Sequence, residues 1–315
     1  MKVSQLFTPL LSTKLHIPRR QRLSQQTTLV SRPQLLARLE AGLTGKLTLI
    51  AAPAGFGKTT LLCEWIDGTE SAPPESAEVD GMRQLYPPTY CWLSLEENDN
   101  DPIRFWLYFI AAIHSHHPGL SADLPVLLQS PEPPPLETVL IILINDLIAW
   151  SGESAPEMTP EIIFILEDYH FIATSAIHQS LAFLIDHLPP VLHLVMTTRA
   201  DPPLPLARLR ARGQLLEIRA DDLRFTTEET TIFLNQRMGL DLSPNEAQLL
   251  AERTEGWITG ILLTSQHLLP GTLDTWARAR SSGRPLYEYL AGEVMERQVT
   301  EVQDFLLTSS TLEEM

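Results

Sequence analysis

Lys46-Leu-Thr-Leu-Ile-Ala51, then Ala52-Pro-Ala-Gly55-Phe-Gly57-Lys58-Thr59-Thr60, then Leu61-Leu-Cys-Glu-Trp-Ile66: this stretch decides the reading of the 315-residue chain. An apolar run of strand length passes directly into a glycine-bearing turn, and helical spacing resumes at Lys58. A triphosphate needs many donors at close range, and Gly55 and Gly57 let backbone N–H groups approach without a side chain in the way. The helix that follows points its positive end at the anion. Lys58 supplies a point charge for the β- and γ-phosphates, and the Thr59 hydroxyl suits Mg²⁺. The pattern departs from G-x-x-x-x-G-K-[ST] only at Ala52, which is tolerable with a negative φ. Ala52, Pro53, Ala54, Gly55, Phe56, Gly57, Lys58, Thr59 and Thr60 are therefore the expected ATP- or ADP-binding residues. The plain alternative is a strand-to-helix turn without a ligand. Lys-Thr at the right offset behind a buried strand weighs against it.

Ile162-Ile-Phe-Ile-Leu166 is apolar at every position, as expected where helices cover both faces of a parallel sheet, and it ends in Glu167-Asp168. Acids at the carboxyl end of such a strand lie where open α/β sheets bind ligands. The expected roles are Glu167 for the water shell of Mg²⁺ and Asp168 for catalysis. The alternative is an acid that caps the following helix. Arg199, after Thr197-Thr198 at the end of another strand, is a candidate for the γ-phosphate or for an ordinary surface ion pair. Arg32 and Val30 are candidates to flank the base. His114, His116 and His117 crowd one helix end without the partners a metal site needs.

Working outward, strands are expected at 89–95, 162–166, 193–197 and 215–218, alternating with helices. That alternation predicts an α/β fold, a doubly wound parallel sheet. Ser31 is expected to cap a helix opening at Pro33. Beyond Asp221 the strands stop. Thr226 and Ser243-Pro244 open helices, and Gly256-Trp257 breaks the pattern before Ile258. The expected organisation is an aperiodic arm over 1–28, a nucleotide-binding domain over 29–222, a small helical domain over 223–283 and a further helical stretch over 284–315. Residues 68–88 read as an irregular insertion.

The net charge of −16, from 23 basic and 39 acidic side chains, lacks the cationic surplus that wraps nucleic acid. Cys63 and Cys91 sit in apolar runs and read as small buried hydrophobes of a reducing compartment. The start lacks a secretory pattern and no apolar run is long enough to span a bilayer, so a cytoplasmic location without membrane contact is expected.

Several stretches together resemble the MalT-type regulators, ATP-dependent transcriptional activators of the STAND class that often end in a LuxR-type helix-turn-helix. They are Thr13-Lys14-Leu15 through Arg19, Leu29-Val-Ser-Arg32, Ala51 to Thr60, Trp92 to Asn100, Leu166-Glu-Asp-Tyr-His170, Thr197 to Pro203 and Thr254-Glu-Gly-Trp257. The resemblance implies a P-loop NTPase domain, a helical domain and the opening of a winged helix at 284–315. It also implies a longer protein, with an inducer-sensing domain and a DNA-binding domain outside this sequence. ATP would act as a switch: slow hydrolysis resets it, and the ATP state with a small-molecule or protein inducer favours self-association. The Gly256-Trp257 region would couple nucleotide state to domain opening. Glu167 stands where the family often has Asp, which bears on hydrolysis more than on binding. Two other readings stay open, a stand-alone P-loop ATPase or kinase and a nucleotide-binding module without turnover.

The charge balance yields the first prediction. Residues 1–315 should show no sequence-discriminating DNA complex in a mobility-shift assay at about 150 mM salt, where weak phosphate contacts are largely lost. A shift that survives that salt and distinguishes sequences would overturn it.

Overall fold

The computed structural model describes residues 10–18, 30–71, 88–151, 160–265 and 302–303. The expected opening of a winged helix at 284–315 lies outside the described residues apart from 302–303, as do most of the 1–28 arm and residues 72–87 of the expected insertion. The chain divides into two compact units. The first holds residues 1–21, 32–52 and 58–222. The second holds 22–31, 53–57 and 223–315.

The first unit is built on five parallel strands: β1 (Leu47–Ala51), β2 (Thr89–Ser94), β3 (Ile162–Glu167), β4 (Leu192–Thr198) and β5 (Leu215–Arg219). Their order across the sheet is β2-β3-β4-β1-β5. Every residue of β1, β3 and β4 is buried, so these strands are largely apolar on both faces rather than alternating, with Thr48, Glu167, His193, Thr197 and Thr198 as buried polar exceptions. Helices α1 (Pro33–Gly42), α2 (Lys58–Ser71), α3 (Pro102–His114), α4 (Leu124–Leu128), α5 (Leu136–Ser151), α6 (Ser175–Asp186), α7 (Leu206–Ala211) and the short α8 (Ala220–Leu223) connect or flank them. The core runs from the strands into α3, α5 and α6, where Phe109 stacks on Phe164 with ring centroids 3.8 Å apart. Trp106, fully buried, satisfies its indole N–H on the Ser180 hydroxyl. His193 is buried inside β4 between the Thr48 hydroxyl and the Gly45 carbonyl, and burial pushes its pKa down to about 4.

Two expectations are corrected. Ser31 does not cap α1; Arg32 holds the cap position, with no side-chain cap bond. Pro33 occupies the first turn, and its ring drives the residue before it out of helical geometry, so the boundary falls at Arg32. Asp101 before Pro102 and Ser243 before Pro244 follow the same rule, and there each side chain does cap its helix. Helix α2 continues to Ser71, past the expected start of the insertion at 68.

In the second unit, α9 (Thr227–Ile232) opens on a reciprocal Thr226–Glu229 capping box and runs into a wider turn over Phe233–Arg237. Helices α10 (Pro244–Arg253) and α11 (Ile258–Ser265) complete the described part. Phe233, Leu234, Leu240, Leu250 and Ile261 form its apolar cluster, joined by Val30.

Residues 10–18, read from the sequence as part of an arm, are bound to the first unit. Lys14 is 7% exposed and pairs with the fully buried Asp99 at 2.6 Å and with Glu96 at 2.8 Å. Its ammonium also lies 5.2 Å from the Tyr108 ring centre, and Leu11 N–H donates to the Tyr108 hydroxyl. Lys14 holds the Glu96 carboxyl below the usual carboxylate range, chiefly through their hydrogen bond. Removing one partner of a buried pair leaves the other charge uncompensated. Lys14→Met should therefore destabilise the protein by about 3 kcal/mol, at the low end for such pairs because Asp99 retains the Glu96 N–H and the Arg104 guanidinium 3.7 Å away. A urea midpoint equal to wild type would show that this contact contributes no stability.

Candidate functional site

All five strands are parallel, so their carboxyl ends emerge along one edge of the sheet. Because β4 lies between β1 and β3, the ends of these three strands are neighbours there. Ala51 is in register with Thr198, and Ser94 with Glu167. The segments of chemical interest in the first unit are thus Ala52, Lys58-Thr59-Thr60, Ser94, Glu167-Asp168 and Thr197-Thr198-Arg199.

Glu167 is 7% exposed and both its oxygens accept hydrogen bonds. The Thr59 hydroxyl, at the first turn of α2, donates to Oε1 at 2.6 Å, and the Ser94 hydroxyl donates to Oε2 at 2.6 Å. Lys58 is buried to the same degree as Glu167, with Nζ donating to the Ala52 carbonyl at 2.7 Å. Burial lowers the Lys58 pKa; Asp168 opposes that, Arg199 adds to it and Glu167 opposes it in turn. These four residues therefore share one electrostatic environment.

Asp168 stands in left-handed backbone geometry, φ +58 and ψ 44. Asp tolerates that region better than most residues, though at some cost. Its N–H donates to the Thr197 hydroxyl at 2.9 Å, tying the end of β3 to the end of β4. Its carboxylate is partly exposed and lies 3.6 Å from His170 Nδ1. Asp168 occupies the position before the short turn at Tyr169–Phe171 but makes no side-chain cap bond to it. The capping alternative weighed for this acid is therefore not realised.

Residues 53–57 belong to the second unit. There the Trp257 indole N–H donates to the Ala54 carbonyl at 3.1 Å. The Thr259 hydroxyl donates to the Gly55 carbonyl at 2.9 Å, and Thr259 N–H reaches the same oxygen at 3.3 Å. With these carbonyls held by Trp257 and Thr259, the peptide planes of the turn have a set orientation. Gly55 and Gly57 take φ of +77 and +80, in the region glycine enters without penalty.

The remaining candidates make contacts of their own. Arg32 donates to the Asp222 carbonyl, and Val30 is buried in the apolar cluster of the second unit. The His114 ring bonds the Leu120 carbonyl, and the His117 ring packs against Trp150. Ser94, Thr197 and Thr259 were not singled out from sequence. A hydroxyl at a strand's end carries no pattern until the strand's neighbours are known. Among the described residues no group of three or more His, Cys, Asp or Glu side chains is placed to hold a metal, and no helix is long and apolar enough to cross a membrane.

No family model matches the chain. Over 292 residues, 91% of its length, it is 33% identical to the HTH-type transcriptional regulator MalT of Cronobacter sakazakii. It is 31% identical over 290 residues to the protein of that name from Yersinia enterocolitica. The chain is MalT-like. It spans 29% of the length of each of these two relatives. In fold, this MalT-like chain is similar to a signal transduction ATPase with numerous domains from Pyrococcus horikoshii that carries a tetratricopeptide repeat sensor. The TM-score is 0.51 at 14% identity, over 93% of this chain and 37% of that one. The fold of the MalT-like chain is a parallel α/β sheet with the glycine-bearing turn directly after β1 in the chain.

The turn yields a prediction. A Cβ at Gly55 would lie 2.4 Å from Thr259 Oγ1 and 2.8 Å from Trp257 Nε1, in a backbone region L-residues rarely adopt. Gly55→Ala should lower stability by at least about 1 kcal/mol, the cost of left-handed geometry for an L-residue. An unchanged urea midpoint would refute this.

Proposed function

We propose that this chain is the nucleotide-binding switch module of a MalT-like transcriptional regulator, taking ATP or ADP together with Mg²⁺. The observation that carries the reading is the 2.6 Å bond between the Thr59 hydroxyl and the Glu167 carboxylate, beside a buried Lys58. The residues fit a magnesium nucleotide. Mg²⁺ keeps most of its waters and asks a protein for few ligands, which suits one hydroxyl backed by one carboxylate. A phosphate chain asks for backbone donors free of side chains, a helix start and a lysine, which residues 52–60 offer.

In this reading Lys58 places its charge on the β- and γ-phosphates. Thr59 donates a hydrogen bond to Glu167, which would leave its oxygen lone pairs for a bound Mg²⁺, and Glu167 would hold water of that ion's shell. Asp168, more exposed than Glu167, orients the attacking water and receives its proton. Arg199 draws the γ-phosphate. Bound Mg²⁺ would neutralise charge that develops on the phosphate oxygens.

Slow hydrolysis then resets the switch, and the ATP state favours self-association. Residues 29–222 serve as the nucleotide-binding domain, 223–283 as the helical domain and 284–315 as the opening of a winged helix. Inducer sensing and DNA contact are assigned to the part of the relatives' length that this chain does not span.

Lys58→Ala should weaken ATP binding at least tenfold, about 1.4 kcal/mol, with the far-ultraviolet circular dichroism spectrum preserved. Unchanged affinity in the folded variant would end the proposal. Asp168→Asn should still bind ATP while phosphate release falls roughly 100-fold, the scale for loss of a positioned base. Turnover lost in Glu167→Gln but kept in Asp168→Asn would reverse the two roles.

A further inference from the structure

Glu167 is fixed from two sides, and the direction of each hydrogen bond can be deduced. The Trp92 indole N–H can only donate, and it donates to Ser94 Oγ at 2.9 Å. Ser94 therefore turns its own proton toward Glu167 Oε2, 2.6 Å away. An ionised carboxylate can only accept, so Thr59 must also donate, to Oε1. The result is a directed chain, Trp92 to Ser94 to Glu167, met from the other side by Thr59. Ser94 and Glu167 are register partners on adjacent strands, so the contact is set by the sheet itself.

We infer that Ser94 is a positioning residue that holds the Glu167 carboxylate on the Thr59 hydroxyl and thereby sets the Mg²⁺ dependence of nucleotide binding. This rests on the reading of the site as a magnesium nucleotide site. Without the Ser94 hydroxyl, Glu167 keeps one of its two side-chain donors. Its carboxylate can then rotate away from Thr59, whose proton is no longer held and whose lone pairs are no longer presented in one direction. Glu167 stands one step behind the ligand Thr59, where hydrogen-bond partners typically change metal affinity by 10–100-fold, and Ser94 acts through it.

The test is the ratio of ATP affinity measured with Mg²⁺ to that measured in EDTA. The ratio should fall about tenfold in Ser94→Ala, fall similarly in Ser94→Cys, whose thiol is a weak donor, and return in Ser94→Thr. An unchanged ratio in folded Ser94→Ala and Ser94→Cys, with wild type still Mg²⁺-dependent, overturns the role of Ser94 alone. So does a ratio that falls equally in Ser94→Thr. A wild-type protein whose ATP binding ignores Mg²⁺ overturns the magnesium reading and this inference with it.

Discussion

The Thr59 hydroxyl and the Glu167 carboxylate, 108 residues apart in sequence, meet at 2.6 Å, and the rest of the candidate site depends on that meeting. It requires β1 and β3 to be parallel, in register and separated by one strand. A shift of β3 by one residue would point Glu167 to the opposite face of the sheet. The burial of every residue of β1, β3 and β4 supplies the packing that holds the register. Buried on both faces, these strands have few alternative arrangements that keep water out.

Charge is introduced into this packed frame sparingly, and each buried charge is answered. Lys58 has the Ala52 carbonyl and the field of Asp168 and Glu167. Glu167 has two hydroxyls. Lys14 and Asp99 have each other, Asp99 lying in the segment between β2 and α3. Unpaired, any of these would cost several kcal/mol in so dry an environment. Their pairing explains how a chain of net charge −16 keeps ionised groups inside its main core. Asp168 is different: it is more exposed, and its left-handed backbone is braced by Thr197.

Much of the architecture was legible in the chain. The phosphate-binding pattern, the acid pair after an all-apolar run and the alternation of strand and helix are local signals. So are Thr226–Glu229 and the residues before Pro102 and Pro244, which announce helix starts by capping chemistry. Ser31 misled because two boundary signals compete there. A serine favours one start, while the proline two residues on fixes another by excluding its predecessor from the helix.

The sequence by itself determined which chemistry the chain can offer, since residue type and spacing state it directly: a lysine and threonine after a glycine turn, and two acids after a buried strand. Only the tertiary structure decided which groups meet. The order β2-β3-β4-β1-β5 brings Ser94 to Glu167 and Thr197 to Asp168, and the burial of Lys14 turns a stretch read as an arm into part of the first unit. Strand propensity and periodicity are properties of a few neighbouring residues. Strand order is settled by the simultaneous burial of many apolar faces, and nothing in a short window of sequence reports that.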